Sequence, residues 1–337
     1  MKRRIRMKKL LILLGFLVLS FLFLTGCGQS NQPVDNSQSG SQQSEGGTSS
    51  THSKLKFAMI IHDTGNSFFS VMDRAAQDAA KQLGVEVKFM GPKTFDVAQE
   101  VNMLESAVDA GYDGIAFTAP DPKAFDAAVK KAKEKGIPII AFNTDAPDSG
   151  RDAFVGQDLE QAGYILGKLM FEKYMKGEGK YIIATSAPGH TALEARIAGI
   201  KRAQKEFPNI QLVNIIDITS DLSKAYGVIE NAYTANKDVK AFLGVDVYSE
   251  AIGTFIQTNN LNGKVLGAGF DLTPGTLKHI ANGAMQVTIG QNPYLQGYFP
   301  IHLLYLKKTQ DISPININTG AEIVTKENVQ DYLNRKE

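Results

Sequence analysis

A single cysteine, Cys27, stands in the 337 residues. That count excludes an intramolecular disulfide and a zinc cluster of thiolates. A charge surplus is missing as well, with 36 Lys and Arg against 35 Asp and Glu. No basic field exists to draw in nucleic acid. Neither a P-loop nor a His-Glu-x-x-His spacing occurs, and Gly177-Glu-Gly179 reads as a turn before a strand, not as a phosphate cradle. No cofactor and no metal site follow from the residues.

What is present begins with a basic, then apolar, N-terminus. Met1–Arg6 and Lys8–Lys9 carry positive charge, and Leu10–Leu24 is almost unbroken apolar sequence. That run is short of the roughly 20 residues of a spanning helix and has the layout of a cleaved leader. Leu24-Thr25-Gly26-Cys27 sets small residues before the cysteine and resembles the lipobox of bacterial lipoproteins. An ordinary leader with an incidental cysteine is the alternative. Residues 1–27 are expected to be a signal peptide whose Cys27 becomes the lipidated mature N-terminus, tethering an extracytoplasmic protein to the cell membrane. Its removal leaves a mildly acidic chain. Residues 28–53, rich in Ser, Gln and Gly, cannot bury enough apolar surface to offset their ordering entropy. They are expected to form a flexible linker spanning about 25–30 Å.

From Lys54 onward the chain alternates strand and helix patterns. Leu55–His62, Val85–Met90, Gly114–Thr118 and Ile137–Asn143 read as strands. Between them, Ser67–Leu83, Val97–Ala110 and Lys123–Lys135 read as amphipathic helices. Phe68, Met72, Ala75, Ala76, Ala79 and Leu83 share a face of the first; Val97, Val101, Leu104 and Val108 share a face of the second. A second series follows, with strands at Lys180–Thr185, Gln211–Asp217, Val239–Gly244 and Lys264–Gly269. Its helices are Ala192–Phe207, Leu222–Asn236 and Tyr248–Asn259. Apolar runs such as Ile137-Pro-Ile-Ile-Ala-Phe suit buried parallel strands. The fold class is α/β, two doubly wound Rossmann-like domains. The halves also echo each other: a strand, a helix and a second strand lead to Asp145 with Pro147 after it, and again to Asp271 with Pro274. Ligands in open α/β sheets bind beyond the C-terminal strand ends, so Asp145 and Asp271 would share one cleft.

Between the first strand and helix lies His62-Asp-Thr-Gly-Asn66-Ser-Phe68-Phe69. Further on stand Asn143-Thr-Asp145-Ala-Pro, Glu194-Ala-Arg196-Ile-Ala-Gly199, Gly244-Val-Asp246, Gly269-Phe-Asp271-Leu-Thr-Pro and Thr288-Ile-Gly-Gln291. In order and spacing these resemble the ribose/galactose-type sugar-binding proteins of bacterial ABC importers, over Leu55–Lys308. The resemblance implies a type I periplasmic binding protein fold with a multi-crossing hinge. The first lobe would comprise 54–157 plus 291–310 and the second 158–290 plus 311–337, with crossings near Gly156–Asp158, Gly290–Pro293 and Thr309–Ser313. It places Asn66, Phe68, Phe69, Asp145, Arg196, Asp246, Asp271 and Gln291 on ligand-contact positions. His62 stands where ribose binders often have a small hydroxyl residue, Ala146 where they usually have arginine, and Leu222 where they have an aromatic.

The chemistry fits a sugar independently. Aspartate accepts from neighbouring hydroxyls, arginine donates in a fixed fork, and amides do both. Aromatic faces cover the C–H surface and keep water out. Each residue has another reading. Asp145 and Asp271 are also good helix caps, and Arg196 could pair with Glu194 or Asp217 on the surface. His62 could be a satisfied loop histidine, and Phe69 is the better core candidate of the phenylalanine pair. His190 and Glu194 stand near Arg196, as contacts or bystanders. The function implied is non-enzymatic capture of a monosaccharide by a monomer, closing by hinge motion and delivering to an ABC permease. The alternative is a receptor for a sugar or furanose autoinducer in signalling or chemotaxis. A glycosidase needs a general acid in an apolar pocket, for which the sequence gives no candidate. A related cytoplasmic repressor needs a helix-turn-helix where this chain has leader and linker.

Overall fold

A computed structural model of the chain describes residues 54–334. Cys27, the leader and the 28–53 linker lie outside the described residues. None of the described helices is long and apolar enough to cross a membrane.

Two six-stranded sheets carry the fold. The first is built from β1 (Lys56–Ile60), β2 (Glu86–Met90), β3 (Gly114–Phe117), β4 (Ile139–Phe142), β5 (Ala153–Gly156) and a late strand, β11 (Ile317–Asn318). The second takes β6 (Glu178–Thr185), β7 (Asn209–Asp217), β8 (Val239–Gly244), β9 (Leu266–Phe270), β10 (Val287–Gly290) and β12 (Glu322–Thr325). The spatial orders are β11-β5-β4-β3-β1-β2 and β12-β10-β9-β8-β6-β7. Position for position the two orders match, so β4 and β9 occupy equivalent places. All pairs are parallel except β10 with β12. The central strands are buried along their length, as in Ile139–Phe142, because helices cover both faces.

The first-lobe helices are α1 (Phe68–Leu83), α2 (Val97–Asp109) and α3 (Asp126–Glu134). In the second lobe lie α4 (Leu159–Leu169), α5 (Thr191–Gln204), α6 (Leu222–Ala235), α7 (Glu250–Thr258) and α8 (Pro274–Ala281). Then α9 (Pro293–Gln310) returns to the first lobe, where Ile301 and Leu304 pack with Phe57, Met59 and Met72. The terminal α10 (Val329–Leu333) joins Leu277 and Ile280 of α8. The α4–α5 crossing is closest at two glycines. A Cβ on Gly163 would lie 2.1 Å from the Arg196 carbonyl oxygen, and one on Gly199 2.0 Å from that of Glu160. Only glycine lets these backbones meet.

The chain passes between sheets after β5, after β10 and between β11 and β12. The third crossing lies later than the Thr309–Ser313 expected from sequence. Ile317 and Asn318 still pair with Val155 and Gly156, and Thr319 N donates to Gly156 O at 2.9 Å. The segment up to Asn318 therefore belongs to the first lobe, because it completes the edge beside β5.

Candidate functional site

The loops leaving the C-terminal strand ends line a cavity of about 200 Å³ between the lobes. That is below the roughly 300–1,000 Å³ of drug-sized sites and suits one small ligand. The lobes meet at its rim, where Thr191 donates its N–H (3.1 Å) and its hydroxyl (2.8 Å) to Pro120 O.

From the first lobe come His62 after β1, Asn66, Phe68 and Phe69 at the start of α1, Phe95 after β2, and Asn143 after β4. Asn66 Oδ1 accepts from Phe68 N at 3.0 Å, which orients the amide N–H₂ as a donor to the cavity. Phe69 is buried, at 3% exposure, and Phe68 half-buried. Asn143 takes φ 62°, a left-handed conformation that Asn tolerates better than most residues. Its Nδ2 donates to Gln296 Oε1 (3.0 Å) and Gln291 Oε1 (3.3 Å).

The second lobe supplies Ser186 after β6, His190 and Arg196 around α5, Ser220 after β7, Asp246 and Tyr248 after β8, and Asp271 after β9. Gln291 follows β10. Arg196 is 3% exposed and lies 4.0 Å above the Phe270 ring. Its Nη1 donates to Val245 O (2.8 Å) and its Nη2 to Gln157 Oε1 (3.1 Å), while Nε has no partner among the described residues. Asp246 accepts from Ser186 N and Tyr248 N, each at 2.8 Å. Asp271, also left-handed at φ 69°, accepts from Gln291 Nε2 at 2.7 Å.

Burial sets the electrostatics. Desolvation raises both Asp246 and Asp271, against the Ser186 and Tyr248 N–H groups for the former and against Arg196 for the latter. The same burial lowers Arg196, with Asp271 and Asp246 opposing it. His190 is pulled down to about 4, first by burial and then by Arg196. Desolvation, then His190, holds His62 well below its ordinary value. The cavity therefore holds neutral imidazoles around one cation and the carboxyl groups of Asp63, Asp246 and Asp271, a set that can hydrogen-bond a small polyhydroxylated molecule from several sides. No cluster of three metal-ligating side chains occurs among the described residues.

The cavity thus brings together His62, Asn66, Phe68, Phe69, Arg196, Asp246, Asp271 and Gln291, and His190 with them. Asp145 is a correction. It does not line the cavity but is ion-paired with Arg151, whose Nη2 lies 2.6 Å from Oδ2 and whose Nε bonds Oδ1. The counterpart of Asp271 is Asn143: each directly follows a strand-final phenylalanine, Phe142 or Phe270, and each is left-handed. Two residues further on, the chain has already turned away. Glu194 is exposed and accepts from Gly189 N, and Leu222 is 44% exposed and off the cavity. Arg196 pairs with neither Glu194 nor Asp217. Asn143, Phe95, Ser220 and Tyr248 were not anticipated; for Asn143 the signal was available in the Phe-Asn and Phe-Asp steps that close equivalent strands.

With that geometry in place, residues 57–309 match the periplasmic binding protein domain. The chain belongs to this family. Its relatives include the xylose/arabinose-binding protein XylF of Sulfolobus acidocaldarius, 31% identical over 300 residues, covering 84% of this chain and 74% of that one. The D-allose-binding periplasmic protein of Escherichia coli is 27% identical over 255 residues, 73% of this chain and 82% of the relative. Among solved structures, an ABC transporter solute-binding protein of Burkholderia graminis in complex with D-arabinose superposes with a TM-score of 0.78 at 29% identity. It covers 82% of this chain and 97% of its own. The fold is the type I periplasmic binding protein fold, and a family member of this kind works outside the cytoplasm.

Proposed function

We propose that the protein captures a single aldose, a pentose or hexose, between its two lobes and delivers it to the membrane subunits of an ABC importer. The observation that carries this reading is the cavity wall itself. Asn66, Asn143, Arg196, Asp246, Asp271 and Gln291 offer donors and acceptors from both lobes, and Phe68, Phe69 and Tyr248 bring aromatic surface. The names of the relatives, xylose/arabinose-, allose- and arabinose-linked, agree in ligand class. Closure by hinge motion follows from a ligand that touches both lobes. No covalent step is assigned: the protein binds and releases. A lipid on Cys27 would hold the monomer at the membrane, and Cys27→Ser should abolish its labelling by a clickable fatty acid.

The test is a thermal-shift screen of the soluble form beginning at Lys54, with pentoses, hexoses, deoxy sugars, polyols and amino acids. A ligand at 100 times its dissociation constant adds about 2.7 kcal/mol of stability. One or a few aldoses raising the midpoint is the expected result. Silence for all sugars with a response to amino acids would sink the reading, as would turnover of aryl glycosides on prolonged incubation.

A further inference from the structure

Beside the cavity lies a buried acid that is not part of its wall. Glu100, in the first turn of α2, is fully buried. Its Oε1 is 2.5 Å from Thr118 Oγ1, and that same hydroxyl oxygen is 2.9 Å from His62 Nδ1. Thr118, at the end of β3, is itself fully buried. The result is a three-member chain from the interior of the first lobe to a cavity-lining imidazole.

We propose that Glu100 is a positioning residue for the binding site: held neutral, it fixes through Thr118 the His62 tautomer that carries its proton on Nε2, so that His62 meets the ligand as a hydrogen-bond donor. The ligand part of this inference rests on the proposed sugar site.

The argument is one of proton counting. A threonine hydroxyl has a single proton to donate. If Glu100 is ionised, Thr118 must donate to it, His62 Nδ1 must carry a proton to donate to Thr118, and Nε2 turns a lone pair to the cavity. If Glu100 is neutral with its proton on Oε1, that proton goes to Thr118, Thr118 donates to Nδ1, and Nε2 carries the proton; a proton on Oε2 would be a buried donor with no partner among the described residues. The surroundings select the second arrangement. Glu100 Oε2 has no partner among the described residues, and no cation pairs with Glu100. The elements against α2 are β1, β3, α3 and the Pro122–Phe125 turn, which face it with Ala58, Ile60, Ile115, Phe117, Phe125 and Val129. Their charges point elsewhere. Lys56, Lys123, Asp126, Lys130, Lys133 and Glu134 are exposed, and Lys131 is paired with Asp109. On α2 itself, Asp96 is exposed and already caps Gln99 N, and Glu105 lies beyond the buried face that Glu100 shares with Leu104, Ala107 and Val108. A buried carboxylate with one oxygen unpartnered and no counter-ion among the described residues neutralises itself. The helix N-terminus favours charge, but weakly beside that desolvation. In accord, burial raises Glu100 well above its ordinary value, against the opposing pull of the Thr118 hydroxyl and backbone.

His62 offers no competing fixture. Its ring sits edge-on to Phe69 (5.0 Å), Phe95 (5.3 Å) and His190 (5.4 Å). The neighbouring Asp63 turns to Gly65 N, and Nε2 makes no hydrogen bond among the described residues. His190 is set the same way by a different device. Its Nδ1 accepts from Ala192 N at 3.2 Å, which also leaves the proton on Nε2. The two rings therefore share one tautomer, although they stand at 71° to each other.

The test reads the tautomer without a ligand, since all three residues belong to the first lobe. Imidazole ¹⁵N spectra of histidine-labelled protein, with His62 identified by its loss in His62→Gln, should show Nε2 protonated and Nδ1 unprotonated at pH 7. Infrared spectra should contain the C=O stretch of one neutral carboxylic acid that disappears in Glu100→Gln. A proton on Nδ1, or absence of that band, overturns the proposal. Binding is then measured for D-xylose, D-arabinose, D-allose and D-ribose. Thr118→Val should weaken the sugar that binds by about five- to tenfold, the worth of one hydrogen bond, and Thr118→Ser should restore it to within about twofold. Unchanged affinity in a folded Thr118→Val also overturns it. Should none of the four sugars bind the wild type, the sugar reading fails while the spectra still decide the relay.

Discussion

Two alanine substitutions two residues apart, Asn143→Ala and Asp145→Ala, discriminate between a site aligned on strand ends and one aligned on aspartates. Asn143 gives its amide protons to Gln296 Oε1 and Gln291 Oε1, and Gln296 is fully buried. Removing the amide strands an interior acceptor, which costs about 1–3 kcal/mol. Alanine must also hold φ 62°, at about 1–2 kcal/mol for a residue with a Cβ. The sum, about 2–5 kcal/mol, is a large share of the 5–15 kcal/mol typical of a folded domain. It should lower the melting midpoint by about 3–9 °C for a protein of this size. Ligand affinity should fall by about 1–3 kcal/mol through the lost contact, or roughly 5- to 150-fold.

Asp145→Ala removes only the pair with Arg151, whose side chains are 26% and 10% exposed. The pair is bidentate and mostly buried, so its loss costs about 1–3 kcal/mol of stability, but Asp145 is not part of the cavity wall. Arg151 also keeps its contact with Asn316 Oδ1 at 3.3 Å. Affinity should stay within about twofold of wild type. Titration calorimetry with the most stabilising sugar of the screen, beside thermal melts, reads both quantities. A tenfold loss in Asp145→Ala together with unchanged affinity in Asn143→Ala would refute the strand-end alignment.

Arg196→Lys keeps a cation between Asp246 and Asp271 but loses the fork that grips Val245 O and Gln157 Oε1; calorimetry should show affinity at least about tenfold weaker, since the two cations are not interchangeable at such a site. Gly199→Ala forces a Cβ to within 2.0 Å of Glu160 O, and overpacking of about 1–3 kcal/mol should appear in urea unfolding, with weaker binding because α5 carries Arg196. His190, depressed to about 4, is neutral when folded, whereas the unfolded chain takes up its proton below about 6.5. Wild-type stability should therefore fall relative to His190→Gln as pH drops from 6.5 to 4, by about 3 kcal/mol at most. The buried acids Asp246 and Asp271, being raised, slope the opposite way in both proteins, so only the difference between the two isolates His190; a flat difference would show that His190 is not desolvated.

Much of the architecture was legible because burial leaves a periodic trace. The fully apolar strands and the one-sided helices α1 and α2 stand out along the chain. The late edge strand β11 gave no such trace: two residues, one of them Asn318, carry no period, and so the third crossing was placed too early. Similarly, α9 runs through the buried Pro300, a residue that argues locally against a helix interior. At the site, residue type misled where position mattered. The echo of Asp-x-Pro in Asp145 with Asp-x-x-Pro in Asp271 concealed the fact that the residue immediately after the strand faces the cavity. Asn and Asp both accept the left-handed turn needed there. Phe95 lies in a loop with no periodic neighbours, 46% exposed, and only its contacts with His62 and His190 reveal its place. Glu100 was visible in principle: it lies four residues before Leu104 and eight before Val108, a charged residue inside an apolar stripe.

The crossings and the binding residues are coupled through Gln157. Its Nε2 donates to Gly290 O and to Gly320 O, each at 3.0 Å, and its Oε1 accepts from Arg196 Nη2 at 3.1 Å. One side chain thus ties the first crossing to the second and third, and holds the guanidinium that faces the cavity. Moving the lobes apart at these crossings disturbs the grip on Arg196, and freeing Arg196 loosens a clasp on the crossings. Gln291 repeats the arrangement, accepting from Asn143 of one lobe and donating to Asp271 of the other. A ligand shifts such an equilibrium only by its difference in affinity for the two arrangements. If closing adds one hydrogen bond to a charged group, worth about 1.5–3 kcal/mol, the closed-to-open ratio rises by roughly 10- to 150-fold. Contacts made within one lobe contribute nothing to that shift. If the lobes close by hinge motion as proposed, selectivity and closure depend on the same residues, those whose partners sit on opposite sides of the cleft.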